Sequence, residues 1–259
     1  MPTKYPIILV HGIMIKDFKR FRAFGKIESL IKSLGYTVYS SNHDGFGKIE
    51  TNAAQIRRFI ERVLRDTGAE KVNIIAHSKG GLDSLYMIDR LLMAKKVASV
   101  TFLSTPHKGS AIATKLYSLP RPVRSFIAFW INFWYKIFGD THPDALGVCK
   151  ELMRTPDNIV ECFDHHDGIF MQSYSTTLER SRDDFVMGIP LIFSRRWEMD
   201  SSDGLVSLES SKYREYRGHC TDGSVSHSEI IDFMVKKKKK EKIYAFYMSL
   251  LEDLSKRGY

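Results

Sequence analysis

Apolar and polar positions along the chain follow two rhythms. Short runs rich in β-branched and aromatic residues, Tyr5 to Val10, Tyr36 to Ser40, Val72 to Ala76 and Val97 to Leu103, read as buried strands. Between them, Asp17 to Leu34, Thr51 to Asp66 and the stretch from Lys79 onward carry apolar side chains at helical spacing. Gly35 and Gly68 follow the first two of these and suit left-handed helix caps. Strand–helix alternation of this kind predicts an α/β fold: a mostly parallel central sheet with helices on both faces and its chemistry at the carboxyl ends of the strands.

One stretch, Ser118 to Gly168, breaks the alternation. Within it "FIAFWINFWYKIF", Phe126 to Phe138, has only Asn132 and Lys136 as polar residues, and at 13 residues is too short to span a bilayer. Phe126, Phe129, Trp130, Phe133, Trp134, Ile137 and Phe138 share one helical face, while Ile127, Ile131 and Tyr135 lie off it. Two readings follow: a helix buried in the core, or a lid that closes over a site and turns its aromatic face to lipid when open. Residues 111–168 are therefore expected to form a cap inserted into a single domain spanning 1–259. "FDHHDG", ending at Gly168, gathers carboxylates and imidazoles, but adjacent side chains diverge, so a polar turn is expected there rather than a metal cluster.

The candidate chemistry lies in "KVNIIAHSKGGLDSLYMI", Lys71 to Ile88, where a strand turns directly into a helix with Ser78 at the corner. Ala76 and Gly80 flank the serine at two positions each side, the small residues of a G-x-S-x-G elbow with alanine for the first glycine. A serine hydroxyl needs a base and the base an orienting acid; with this elbow they follow as acid and then histidine. That order removes His11, His43 and His77, which precede or adjoin Ser78. Asp203, in "SSDGLVSLES", is the preferred acid over Asp200 and Asp222; His107, His142, His165 and His166 precede it. His227, in "SVSHSEIID", is the preferred base, and order alone leaves His219 open. The two backbone donors of an oxyanion hole are expected from Lys79, after the serine, and from Ile13, in the loop after the first strand, where Gly12 permits close approach and His11 buttresses the loop.

Composition narrows the picture further. With 259 residues, 43% apolar and 12% aromatic, the chain can bury a large core and is not disordered. "MPTKYPIILVHG" runs straight into a core strand without a secretory leader, so a cytoplasmic location is expected, or a secreted one had a leader been removed. Cys149, Cys162 and Cys220 lack metal-ligand spacing and read as free thiols. The net charge of +9 includes the run Lys236 to Lys240, a solvated face without any nucleic-acid-binding signature. A basic surface also favours anionic lipid headgroups. An acyl ester or lipid substrate and transient contact with a lipid surface are the partners expected; nucleic acid and a transmembrane segment are not.

"YPIILVHGI", "VNIIAHSKGG", "STPHKGS" and "SDGLVS", followed by "SHSEIID", resemble, in order and over nearly the whole chain, the bacterial triacylglycerol lipase and esterase family of α/β-hydrolases. The resemblance implies a catalytic triad of Ser78, Asp203 and His227 and oxyanion donors at the Ile13 and Lys79 backbones. It implies cleavage of carboxylic esters, lipid or medium-to-long acyl, through an acyl-serine. Phe126, Phe129, Trp130, Phe133 and Trp134 would then serve as lid and substrate wall. A thioesterase or phospholipase would use the same machinery; a non-catalytic α/β-hydrolase that binds a ligand or partner belongs to a different class. Two departures stand out. Many relatives carry glutamine where this chain has Lys79, which places a new charge near the site. Many also bind a structural calcium through a carboxylate two residues after the histidine; Glu229 stands there without a recognisable ligand set, so no cofactor is expected. The zinc-binding insertion of some larger relatives has no counterpart before Ser78.

Overall fold

The computed structural model describes residues 2–14, 16–17, 21–153, 168–184, 186–198 and 201–259. Six strands, β1 (Ile7–Val10), β2 (Val38–Ser41), β3 (Val72–His77), β4 (Val97–Leu103), β5 (Phe170–Ser175) and β6 (Glu215–His219), form one sheet in the order β2-β1-β3-β4-β5-β6. Every pairing is parallel. The helices are α1 (Ile27–Ser33), α2 (Ile49–Thr67), α3 (Lys79–Arg90), α4 (Ala111–Ser118), α5 (Arg121–Ile137), α6 (Ala145–Glu151), α7 (Gly188–Glu198), α8 (Leu208–Ser211) and α9 (Lys237–Lys256).

Successive residues of a strand point to opposite faces, and β1 shows the consequence. Ile8 and Val10 pack with α2 and α3 through Ile56, Ile60, Leu82 and Leu85. Ile7 and Leu9 pack with α1 and α9 through Ile27, Ile31, Tyr247 and Leu250. The central strands are buried on both sides, which is why β3 and β4 read as continuous apolar runs. Helix α2 ends at Gly68 with φ +69°, the left-handed cap expected there.

The stretch from Asp17 to Leu34 is not one helix. Among its described residues only Ile27–Ser33 is helical; residues 18–20 lie outside the described set, and Ala23 to Lys26 form turns. Distant side chains hold those turns. Asp17 accepts the Ala23 amide at 2.8 Å, and Asp232, far along the chain, accepts the Lys26 amide at 2.8 Å.

Helices α4, α5 and α6 lie between β4 and β5, with α4 packed on α6 and α7, and α5 on α6. The segment 154–167, with Cys162, His165, His166 and most of "FDHHDG", lies outside the described residues. No described helix is long and apolar enough to cross a membrane.

Candidate active site

Strand β3 ends at His77 and α3 begins at Lys79, so Ser78 alone makes the turn, at φ +55° and ψ −134°. That backbone is strained for a residue with a side chain and persists only where the surroundings hold it. Here they do. The Ser78 amide donates to the Leu103 carbonyl at 2.9 Å and its carbonyl accepts from Gly81 at 3.0 Å. The corner is also crowded: a Cβ on Gly12 would lie 2.6 Å from that of Ser78, and one on Gly80 2.3 Å from the His11 carbonyl oxygen. Only glycine fits at either place.

The loop between β6 and α9 returns His227 to this corner, 149 residues downstream of the serine. Its Nε2 lies 2.8 Å from Ser78 Oγ and its Nδ1 2.8 Å from Asp203 Oδ2. An ionised carboxylate can only accept, so Nδ1 carries the proton and Nε2 is free to accept from the serine hydroxyl. Burial would raise the Asp203 carboxyl; His227 and the Val206 and Leu205 amides outweigh it and hold the carboxyl below its ordinary value. Thr176 Oγ1 donates to the same carboxylate at 2.9 Å. His227 is fixed at its backbone as well: its amide donates to the Asp203 carbonyl at 3.0 Å and its carbonyl accepts from His77 Nε2 at 2.9 Å.

The other candidates are placed elsewhere. His219 ends β6 against Ser175 Oγ at 2.8 Å, Asp222 borders a lysine-lined groove, and Asp200 lies outside the described residues. Ile13 borders the same cavity as Ser78 and His227. Lys79 opens α3, whose first amides have no intrahelical acceptor and carry the positive end of the helix dipole. Among the described residues neither the Ile13 nor the Lys79 amide donates a hydrogen bond.

The sequence model of the family described as the alpha/beta hydrolase fold matches residues 5–149, more than half of the chain. The chain belongs to the α/β-hydrolase fold family. It is 35% identical over 163 residues to a triacylglycerol lipase of Pseudarthrobacter phenanthrenivorans, covering 58% of this chain and 50% of that one. It is 26% identical over 267 residues to triacylglycerol lipase 2 of Saccharomyces cerevisiae, covering 90% of this chain and 73% of that one. The chain thus spans about half the length of the bacterial lipase. Among solved structures, a metagenomic carboxyl esterase superposes with a TM-score of 0.71 at 14% identity, over 97% of this chain and 76% of that one, a likeness of fold.

Within this hydrolase fold a cavity of about 360 Å³ opens at Ser78. Its apolar wall comes from Ile112, Ala113, Leu116, Ile131 and Val148 of α4, α5 and α6, from Leu152 just after α6, and from Val206, Ile231 and Phe233 near the histidine loop. None of Phe126, Phe129, Trp130, Phe133 or Trp134 lines it. That stripe faces solvent, with Phe126 65% and Trp134 50% exposed. The reason is that α5 has two apolar faces. Buried Ala128 lets the helix approach the body closely, Ile131 enters the cavity wall, and Tyr135 meets the Phe46 ring edge-on at 4.5 Å. The aromatic stripe is the other face. The far end of α5 is tied down: Asp140 accepts the Gly45 and Phe46 amides, and buried Asp44 accepts Thr141 and His142.

The side chain of Lys79 puts no free charge at the site. It is fully buried and its Nζ lies 2.6 Å from Asp83 Oδ1, away from the residues that line the cavity. Burial raises the Asp83 carboxyl to about 6, with Lys79 and Asn52 opposing the rise. The sequence offered a signal for this pair, a lysine and an aspartate four apart on one helix, but the site reading did not use it. Thr176 carried no comparable signal.

Glu229 does not fit a calcium site. Lys239 Nζ lies 2.9 and 2.7 Å from its two carboxylate oxygens, and the Ser226 amide donates to Oε2 at 3.0 Å. The ammonium supplies the positive charge a cation would bring. Among the described residues no group of three His, Cys, Asp or Glu side chains converges to hold a metal.

Proposed function

We propose that this protein is a serine hydrolase that cleaves carboxylic esters with medium-to-long acyl chains, lipids among them. The observation that carries the reading is the run Ser78 Oγ, His227, Asp203 at 2.8 Å per contact, opening into an apolar cavity. Ser78 Oγ attacks the ester carbonyl as its proton passes to His227 Nε2. The C=O electron pair moves onto oxygen, and the oxyanion accepts from the Ile13 and Lys79 amides. Collapse expels the alcohol, which takes the proton from His227, and leaves an acyl-serine. Water, deprotonated by the same nitrogen, then attacks the acyl carbon, and Ser78 leaves with the proton. Asp203 stays ionised throughout and stabilises the imidazolium.

The substrate class follows from two surfaces. The cavity wall is almost wholly apolar, which suits an acyl chain rather than a polar group. The stripe from Phe126 to Ile137, and separately Ile189, Ile192 and Phe193 of α7, expose large apolar side chains of the kind that mark an interaction site, here with aggregated substrate. From Ser110 to Gly139 the chain carries Lys115, Arg121, Arg124 and Lys136 and no carboxylate, which suits an anionic lipid surface.

The test is labelling by a fluorophosphonate probe followed by turnover of p-nitrophenyl esters of graded chain length. Labelling confined to Ser78 and kcat/KM rising from acetate toward octanoate are the expected results. An unlabelled protein would leave a ligand-binding role for the cavity. Labelling with a preference for acetate would retain the hydrolase and discard the long-chain substrate.

A further inference from the structure

The polar cluster behind Ser78 takes no part in the proton path, yet it joins the two backbones on which that path depends. Lys79 and Asp83 stand one turn apart at the start of α3, fully buried, with Nζ and Oδ1 at 2.6 Å. A buried ion pair is a weak way to stabilise a fold. Each ion loses its hydration, and apolar residues of similar volume often serve as well or better. Its presence beside the strained corner calls for another reason.

The neighbours of Asp83 supply one. Its Oδ2 accepts from Asn52 Nδ2 at 3.1 Å, and His43 Nε2 lies 3.8 Å from the same oxygen. That His43 nitrogen donates to the His11 carbonyl at 3.0 Å. The two imidazoles stack at 3.9 Å, and His11 Nδ1 donates to the Gly12 carbonyl at 2.8 Å. Burial keeps both rings neutral, His11 with its value lowered to about 4 and His43 well below the ordinary one. His11 and Gly12 lead directly into Ile13. Asn52 also donates to the Asp44 carbonyl at 2.8 Å, which fixes α2 and the loop after β2 to the same cluster. One buried carboxylate therefore pairs with the residue whose amide follows the serine. The same carboxylate faces, at 3.8 Å and without a hydrogen bond, the imidazole whose N–H bonds the loop that carries the other amide.

We propose that Lys79 and Asp83 are positioning residues that, with His43, hold the Ile13 and Lys79 amides at the spacing an oxyanion requires. The proposal rests on the assignment of those amides as the oxyanion donors. Neither charged side chain touches substrate; both act through the backbone. Stabilisation of a developing charge depends on donors that are already aimed. The first turn of α3 and the end of β1 are separate elements, so their relative position needs a tie. Both residues lie on α3, so the tie runs through the Asp83 carboxylate: its bond to Asn52, which holds the Asp44 carbonyl, and its proximity at 3.8 Å to the His43 N–H that bonds the His11 carbonyl.

The experiment replaces the pair by apolar side chains of similar size, Lys79→Met with Asp83→Leu, and compares it with His43→Asn. Thermal midpoint, kcat and KM for p-nitrophenyl butyrate, and fluorophosphonate labelling are measured on each. The double variant is expected to melt at or above the wild-type midpoint. Its kcat is expected to fall by about 10²–10³-fold, the scale of a lost oxyanion donor. KM should stay within about threefold, because the ground-state carbonyl does not need the donors. His43→Asn should lower kcat by about tenfold with KM unchanged, since it loosens only one side. A double variant with wild-type kcat per folded molecule overturns the proposal. So does a loss that merely tracks the folded fraction, which would make the pair structural. Failure of the parent assignment shows separately, as a wild-type protein that the probe does not label at Ser78, and it would take this proposal with it.

Discussion

Behind Ser78, the side chains of Lys79, Asp83, His11 and His43 are shut away from water, while on α5 Phe126, Phe129, Trp130, Phe133, Trp134 and Ile137 stand in it. Each arrangement inverts the usual preference. Burying a charge costs hydration, and leaving a large apolar side chain exposed forgoes about 1.5–3 kcal/mol of transfer free energy. Both adjoin the site, the first next to Ser78 in sequence and structure and the second on the outer side of the helix that lends the cavity Ile131. The difference teaches where each inversion earns its place. The buried cluster fixes geometry and is fully enclosed. Among the described residues the ring contacts of the exposed stripe are with one another, an arrangement that suits the proposed contact with aggregated substrate.

The sharpest way to break the comparison is at the corner itself. Ser78→Ala and His227→Ala should each lower kcat by about 10⁴-fold or more, as when any member of such a unit is lost. Asp203→Asn should leave some activity, since the nucleophile and base remain. Circular dichroism should show all three folded. A His219→Ala variant that is dead beside an active His227→Ala variant would sink the assignment of the base.

That corner was legible because its determinants are local. A strand, one small-residue turn and a helix fall within eighteen residues, and the order of serine, acid and histidine then sorted nine histidines down to His219 and His227, of which His227 stands at the serine. What was not legible depends on remote partners. The helix expected from Asp17 begins at Ile27 because Asp232 holds the Lys26 amide. Strand β5 carries buried Gln172, Ser173 and Ser175, whose polarity hides a core strand; Gln172 Nε2 donates to Thr101 Oγ1 at 3.0 Å. Strand β6 is an edge, with Glu215, Arg217 and His219 exposed, so no apolar run announces it. On α5 both faces are apolar, and periodicity alone does not say which one packs; Ala128 decides it by permitting close approach.

A second prediction separates the regions by pH. His11, His43, His77 and His107 are all buried, and burial lowers each of them, His11 to about 4, His107 to about 3 and the other two well below their ordinary value. In the unfolded chain they titrate near 6.5, so as pH falls below that value the unfolded state takes up protons that the folded state refuses. Stability should drop by up to about 1.4 kcal/mol per pH unit for each such histidine between roughly pH 6.5 and 4. Asp83 works the other way, because its raised value makes the folded state the better proton acceptor between its unfolded value near 3.8 and about 6. Burial also raises Glu151 and Asp140, which act in the same sense as Asp83, but the four imidazoles take up protons first on leaving neutral pH, so urea midpoints should fall on mild acidification. A flat profile from pH 7 to 5 would contradict the burial of these rings. Replacing Trp130 and Trp134 should leave the profile unchanged, since α5 presents no titrating group to that cluster.

The smallest effect on the fold is expected on the outer face of α5. Trp130→Ser with Trp134→Ser removes two half-exposed rings that contact chiefly each other's neighbours, Phe126, Phe129, Phe133 and Phe138. A buried helix would lose about 3–5 kcal/mol per ring on truncation. Side chains already in water lose much less, so the melting temperature should move by only a few degrees. Activity on soluble acetate or butyrate esters should also persist, because the cavity wall uses Ile131 and not the stripe. Turnover of emulsified long-chain esters should fall several-fold, since each indole lost removes apolar area from the contact with the aggregate. Binding to vesicles containing anionic phospholipid should weaken in parallel. A variant that melts far below the wild type and loses activity on every chain length alike would mean that the stripe is packed in solution, and the contrast between the two regions would disappear. A variant unchanged on emulsions as well would leave the stripe exposed but assign it no part in reaching the substrate.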